Sequence, residues 1–236
     1  MPVLSERAHL LAYLDHLDAV RGGDRRGDAT APLPRKIGKR LLPAGSRLGA
    51  RLAATRLARP RESRRAREFA RRPSLRLHLG SGVEYKHGWV NVDLVGDRVD
   101  LAWDLTTPLP FPDRAAEAVF HEHLLTLIDL RKGLALLDEA FRVLAPGGVL
   151  RIGVPDPWPE RSSAPEGDAL PRLLAVQEIF YYPGNRAMYD AETLELALRA
   201  AGFREIEQLG FGESRIVTCP DSARRRKGTL YVEAVR

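Results

Sequence analysis

Apolar residues alternate through Leu75, Leu77 and Leu79 into Gly80-Ser81-Gly82, and Trp89, Val90 and Val92 then lead to Asp93. Period-two spacing of this kind predicts strands over 75–79 and 89–93. The same reading predicts strands at Val99–Trp103, Ala115–His121, Val149–Val154, Phe203–Phe211 and Thr229–Val235. Helical spacing predicts a helix over Leu134–Leu144, stopped by Ala145-Pro146-Gly147-Gly148, and another over Ala191–Ala201, capped by Asp190 and closed by Gly202. Before the first strand, Ser5–Val20 carries leucines at helical intervals behind a Ser5 N-cap, and 21–34 is a linker rich in Gly, Asp and Pro. Apolar positions from Ile37 to Leu57 predict two short helices within Lys36–Arg59, broken by Pro43 and Gly45. The chain thus divides into a helical extension, 1–72, and a domain, 73–236.

Strand, glycine turn, strand and acid is the order in which a doubly wound sheet presents a nucleotide-like ligand at its carboxyl edge. A side chain at Gly80 or Gly82 would hold the ligand off the backbone. A carboxylate ending the next strand can accept bonds from both hydroxyls of a ribose; an ordinary strand-end aspartate is the alternative. The dinucleotide fingerprint does not fit. Its third glycine would fall at Tyr85, and its acid follows by about 20 residues, whereas Asp93 comes 13 residues after Gly80. A smaller ligand without phosphates fits better, and S-adenosyl-L-methionine is the commonest of these.

Downstream lie Asp104-Leu105, PLPFPD (Pro108–Asp113), AEAVFHEHLL (Ala116–Leu125), LLDEAFRVLAPGGVLRIGVPD (Leu136–Asp156) and YDAETLELALRAAGF (Tyr189–Phe203). In order and spacing these segments resemble class I S-adenosylmethionine-dependent methyltransferases, over roughly Leu75–Phe203, and most of all a compact bacterial branch. The resemblance implies a Rossmann-like, doubly wound, seven-stranded, mostly parallel sheet whose last strand inserts antiparallel between its neighbours. It places Leu79, Gly80, Ser81 and Gly82 along the methionine and ribose, Asp93 on the ribose diol, and Leu94 near the adenine. Asp104 with Leu105 would stand beside the adenine amine, with a turn-initiating Asp as the alternative. His121, Glu122 and His123 would face the reacting methyl. Glu122 would orient substrate or accept a proton, His123 would serve as base near neutrality or simply bond a loop, and Asp156 would sit on the acceptor rim. Trp158 and the prolines and glycines of 157–168 suggest a lid lined by Phe180, Tyr181, Tyr182 and Tyr189, with helix core as the equal alternative for these aromatics and the preferred one for Phe180. Two departures touch the acceptor: Thr126-Leu127 stands where relatives repeat a Glu-His pair, and Asn185–Met188 lacks their histidine.

The two histidines of His121-Glu122-His123, set by alternation on one side of a strand, raise a metal reading, but two ligands without a third are weak and no metal is expected. The single cysteine, Cys219, excludes an internal disulfide, and no apolar run spans a bilayer. These features suit a cytoplasmic protein. Charge is unevenly placed. Residues 35–72 hold fourteen Arg and Lys against Glu62 and Glu68, a balance of +12, which leaves −6 for the rest of a chain of net charge +6. A lid or dimerisation element, an anionic membrane or glycolipid surface, and RNA are the partners such an arm suggests. The expected activity is methyl transfer to O or N of a small-molecule or glycan acceptor. The alternatives are an RNA or protein methyltransferase gripping its substrate with the arm, and a cofactor-binding module without catalysis.

Overall fold

The computed structural model describes residues 44–158, 176–177, 179, 181 and 184–236, with 44–46 described in backbone only. The expected helix Ser5–Val20, the linker 21–34, most of the expected lid, Phe180 and Tyr182 lie outside the described residues. Seven strands form one sheet: β1 (Leu75–Leu79), β2 (Val90–Asp93), β3 (Leu101–Ala102), β4 (Ala116–Glu122), β5 (Leu144–Pro155), β6 (Glu205–Leu209) and β7 (Thr229–Val235). Their order is β3-β2-β1-β4-β5-β7-β6. The first five run parallel, and β7 inserts antiparallel between β5 and β6, as expected.

Strand alternation separates two faces. Leu75, Leu77, Leu79, Val119, Leu150, Ile152, Val154, Leu230, Val232 and Ala234 share one apolar core with Leu136, Leu137 and Ala140 of α2 (Leu130–Val143) and Leu194 and Leu198 of α3 (Ala191–Ala200). Both helices are capped by aspartates, Asp129 and Asp190, whose carboxylates accept backbone N–H groups of Lys132 and Thr193. The other face carries His78, Asn91, Phe120, Arg151 and Glu233, all buried. Segment 210–222 covers part of it. Ile216 packs in a small cluster with Trp89, Ala118 and Phe120, and Asp221 meets Arg151.

Several boundaries differ from the sequence expectation. The described part of the basic arm forms one helix, α1 (Ala44–Phe69), with Gly45 in its first turn and Pro60 inside it. Its packing explains the continuity. Glu62 is buried and accepts the Ala102 N–H of edge strand β3 at 3.1 Å, Thr55 Oγ1 accepts the Val95 N–H at 2.9 Å, and Ala66 joins the main core. Tertiary contacts of this kind outweigh the helix-breaking tendency of one proline. β3 keeps two residues of the expected five. Ala145–Gly148 is no free turn: β5 begins at Leu144 opposite Ala116, and the extra residues are absorbed as a bulge before Val149 meets Ala118. No helix among the described residues is long and apolar enough to cross a membrane.

Candidate functional site

A cleft of about 960 Å³ opens at the carboxyl ends of β1, β2, β4 and β5. Its floor is the glycine turn. Gly80 has φ +68° and its N–H donates to the Val92 carbonyl at 2.8 Å; a Cβ there would lie 2.7 Å from Leu124 Cδ1. Gly82, at φ +54°, donates its N–H to Asp93 Oδ2 at 2.7 Å. Between them Ser81 Oγ is buried and has no partner among the described residues. A buried hydroxyl normally finds a partner, and Ser81 belongs to the lining of the cleft.

Asp93 is held on both oxygens. Oδ1 accepts the Leu94 N–H at 2.6 Å and faces Arg51 Nη2 of α1 at 3.4 Å. Arg51 also donates to the carbonyls of Val95 and Leu94, both at 2.9 Å. Asp104 accepts Thr106 N–H and hydroxyl at 3.1 and 2.6 Å and lies 3.4 Å from Arg56. Burial works to raise its pKa, but those bonds and the Arg56 charge prevail and hold the carboxyl below its ordinary range. Thus α1 brings one arginine to each of the two acids expected to hold an adenosine. Leu48 and Leu52 of the same helix also line the cleft.

The second half of the cleft rises from β4 and β5. Glu122 Oε1 accepts the Tyr231 hydroxyl at 2.7 Å and the Ser222 N–H at 3.2 Å. Burial, and then Glu122, push the Tyr231 phenol up, so it stays a donor. His123 has left the strand: its φ is +54°, its N–H donates to the Gly153 carbonyl at 2.8 Å, and Nε2 sits 2.9 Å from Thr229 Oγ1. The strand alternation that would have set it beside His121 therefore ends before it. Burial, with Arg225 and Arg224 nearby, lowers its pKa to about 3, which corrects the expectation of a base titrating near neutrality. Asp156 lines the rim, its carboxylate accepting the Trp158 N–H at 2.8 Å.

Gly80, Ser81, Gly82, Asp93, Leu94, Asp104, Leu105, Glu122, His123 and Asp156 therefore meet in one cleft. Leu79 and His121 do not. They pair side by side in the sheet and are fully buried, so their side chains turn away from the ligand space. Of the two places expected for Tyr189, lid lining or core, it takes the core. Sequence reasoning missed Arg51 and Arg56, whose partners lie over 40 residues away. It also missed Asn91, which holds His78 Nδ1 at 3.0 Å, the Lys86 N–H at 2.9 Å and Asp100 at 2.9 Å. A lone amide between Val90 and Val92 was the available signal.

Three histidines here are held neutral: His78 at about 4, His121 and His123 at about 3, each chiefly by burial. Depressed folded-state values mean the unfolded chain binds more protons below pH 6.5. Their stabilisation is therefore complete above 6.5 and drains away as pH falls toward 3–4. Between pH 7.5 and 6 the three together should cost about 2 kcal/mol. Urea midpoints at the two pH values check this, and an unchanged midpoint would refute it.

No family model matches the chain, and no curated protein matches it. Solved structures do. The apo S-adenosylmethionine-dependent methyltransferase SibL is 18% identical, with 95% of this chain and 69% of SibL covered, at a TM-score of 0.50. A SAM-dependent methyltransferase from Archaeoglobus fulgidus is 15% identical over 79% of this chain and 94% of its own, at 0.49. One from Thermotoga maritima, described as a possible histamine N-methyltransferase, is 17% identical over 80% and 95%, at 0.44. With the strand order above, the likeness to SibL establishes the fold as the Rossmann-like one of class I methyltransferases.

Proposed function

We propose that the protein is an S-adenosyl-L-methionine-dependent methyltransferase acting on O or N of a small-molecule or glycan acceptor. The observation that carries this reading is the pairing of Gly82 N–H with Asp93 at the cleft floor, beside the unpartnered Ser81 hydroxyl. Turn, orphan hydroxyl and acid fit the amino-acid and ribose portions of that donor. Bound there, the donor supplies an electrophilic methyl carbon on a sulfonium. The chain supplies position. Gly80 and Gly82 allow close backbone approach, Asp93 accepts the diol, and Asp104 with Leu105 receives the adenine edge. Leu94 and α1 then wall the adenosine.

On the acceptor side we assign Glu122, His123 and Asp156. With its pKa near 3, His123 is neutral throughout the working range and serves to orient an acceptor rather than to store a proton. Alignment of an oxygen or nitrogen nucleophile supplies much of the rate, so a strong base is not required. Titration calorimetry with S-adenosylhomocysteine, the demethylated product, should show one site per chain. Absence of heat would refute the reading. Exposed Arg61, Arg64, Arg67, Arg71 and Arg72 on and after α1 favour, as a second reading, an RNA or protein acceptor held by this arm. The label-transfer experiment below separates the two.

A further inference from the structure

The cleft divides into two halves of different charge. Asp93 and Asp104 belong to the β2–β3 half, and each faces an arginine of α1. The β4–β5 half is bounded by segment 222–229, which three bonds tie down. Ser222 N–H reaches Glu122 at 3.2 Å, Asp156 N–H donates to the Gly228 carbonyl at 2.9 Å, and Thr229 Oγ1 meets His123 at 2.9 Å. This anchoring sets Arg224, Arg225 and Lys227 on the cleft wall. Arg186 also lines the cleft, its own N–H bonded to the Thr126 carbonyl at 2.7 Å.

Some of these charges are already balanced. Arg224 pairs with Glu84 at 2.9 Å, and Lys132 with Asp129 at 3.6 Å. Glu122 keeps its charge while accepting the Tyr231 hydroxyl and the Ser222 N–H, and Asp156 lines the same rim. Two carboxylates thus stand against the three cations that remain and leave one positive charge in excess. Arg186, Arg225 and Lys227 make no ion pair among the described residues, yet all three line the cleft. A sulfonium donor would add one more positive charge to this half. A neutral or cationic acceptor leaves that excess unbalanced, whereas an anion balances it and is drawn in by the focused field. Two guanidinium groups also suit the forked geometry of a carboxylate or phosphate.

We propose that the acceptor is a small anionic molecule whose carboxylate or phosphate is held by Arg186, Arg225 and Lys227. The inference rests on the reading that the cleft holds the sulfonium donor. In the reaction a lone pair on the acceptor's oxygen or nitrogen forms the new bond to the methyl carbon. The C–S bond breaks with its electron pair going to sulfur, and any proton on the acceptor atom leaves to water. A carboxylate can be the anchor or the nucleophile itself.

The test uses the full chain with methyl-labelled S-adenosylmethionine and a bacterial cell extract. Before enzyme and donor are added, the extract is divided into RNA, protein, and small molecules that an anion exchanger binds or passes at pH 7. Label should enter the bound small-molecule fraction. Release of that label as methanol in mild alkali marks the carboxylate as the methylated group, and retention marks it as the anchor. The double variant Arg225→Gln/Lys227→Gln should bind S-adenosylhomocysteine within twofold of the parent yet transfer label at least tenfold more slowly. Label found only in the passed, RNA or protein fractions overturns the proposal, as does label in none of them while S-adenosylhomocysteine still binds. An undiminished rate in the double variant overturns it too. Failure of the parent to bind S-adenosylhomocysteine instead removes the cofactor reading beneath it.

Discussion

Replacing Asp93 by Ala should weaken S-adenosylhomocysteine binding by about 100- to 1,000-fold, a loss of about 3–4 kcal/mol. Two effects combine. A ribose diol bound as proposed would lose its charged acceptor, and bonds to charged groups contribute about 1.5–3 kcal/mol each. The Gly82 and Leu94 amides also lose the carboxylate that fixes the turn, at 2.7 and 2.6 Å. Asp93→Asn should fall between parent and Ala, because one amide oxygen cannot serve both N–H groups and the diol. Neither change should unfold the protein, since the carboxylate lies at a strand end with its side chain 19% exposed. Calorimetry beside a thermal melt separates the two effects. An Ala variant that binds within threefold of the parent would remove Asp93 from the site.

The parts of this fold that the sequence announces are those whose causes are local. β1 and β7 fall where alternation sets them, because each buries one leucine- or valine-rich face in the main core. Asp190 is legible as a cap because its partner, Thr193, lies three residues away. Gly80, Gly82 and Asp93 are legible because turn chemistry and strand ends are short-range. What stays hidden depends on distant partners. Arg51 reads as one basic residue among many until α1 is laid beside Asp93, 42 positions on. The continuity of α1 depends on Glu62 reaching the edge of β3, and no local rule anticipates that. His123 looks like a neutral-range base by residue type. Its strand exit and its buried place beside Arg225 and Arg224 make it otherwise.

The largest stability effect should come from Arg151, which sequence alternation marks only as a polar residue inside a buried strand. Its side chain is fully buried. The fork donates from Nε and Nη2 to both oxygens of Asp221, at 2.7 and 2.5 Å, and from Nη2 to the Gly210 carbonyl at 3.0 Å. Nη1 lies 3.4 Å from Glu233, and the guanidinium stacks 4.7 Å from the Tyr231 ring centroid. This cluster pins segment 210–222 to the polar face of the sheet. Replacing Arg151 by Met would keep much of the volume but leave Asp221 and Glu233 buried without their cation, which costs about 3–5 kcal/mol. Adding Asp221→Asn should recover part of that loss, since a neutral amide tolerates burial better than an unpaired carboxylate. Arg151→Lys should fall between, because a point charge cannot span both Asp221 oxygens. Urea unfolding of the four proteins at pH 7.5 measures the series. A loss below about 1 kcal/mol in Arg151→Met would mean that water reaches these carboxylates, and that the ion cluster does not hold the covering segment in place.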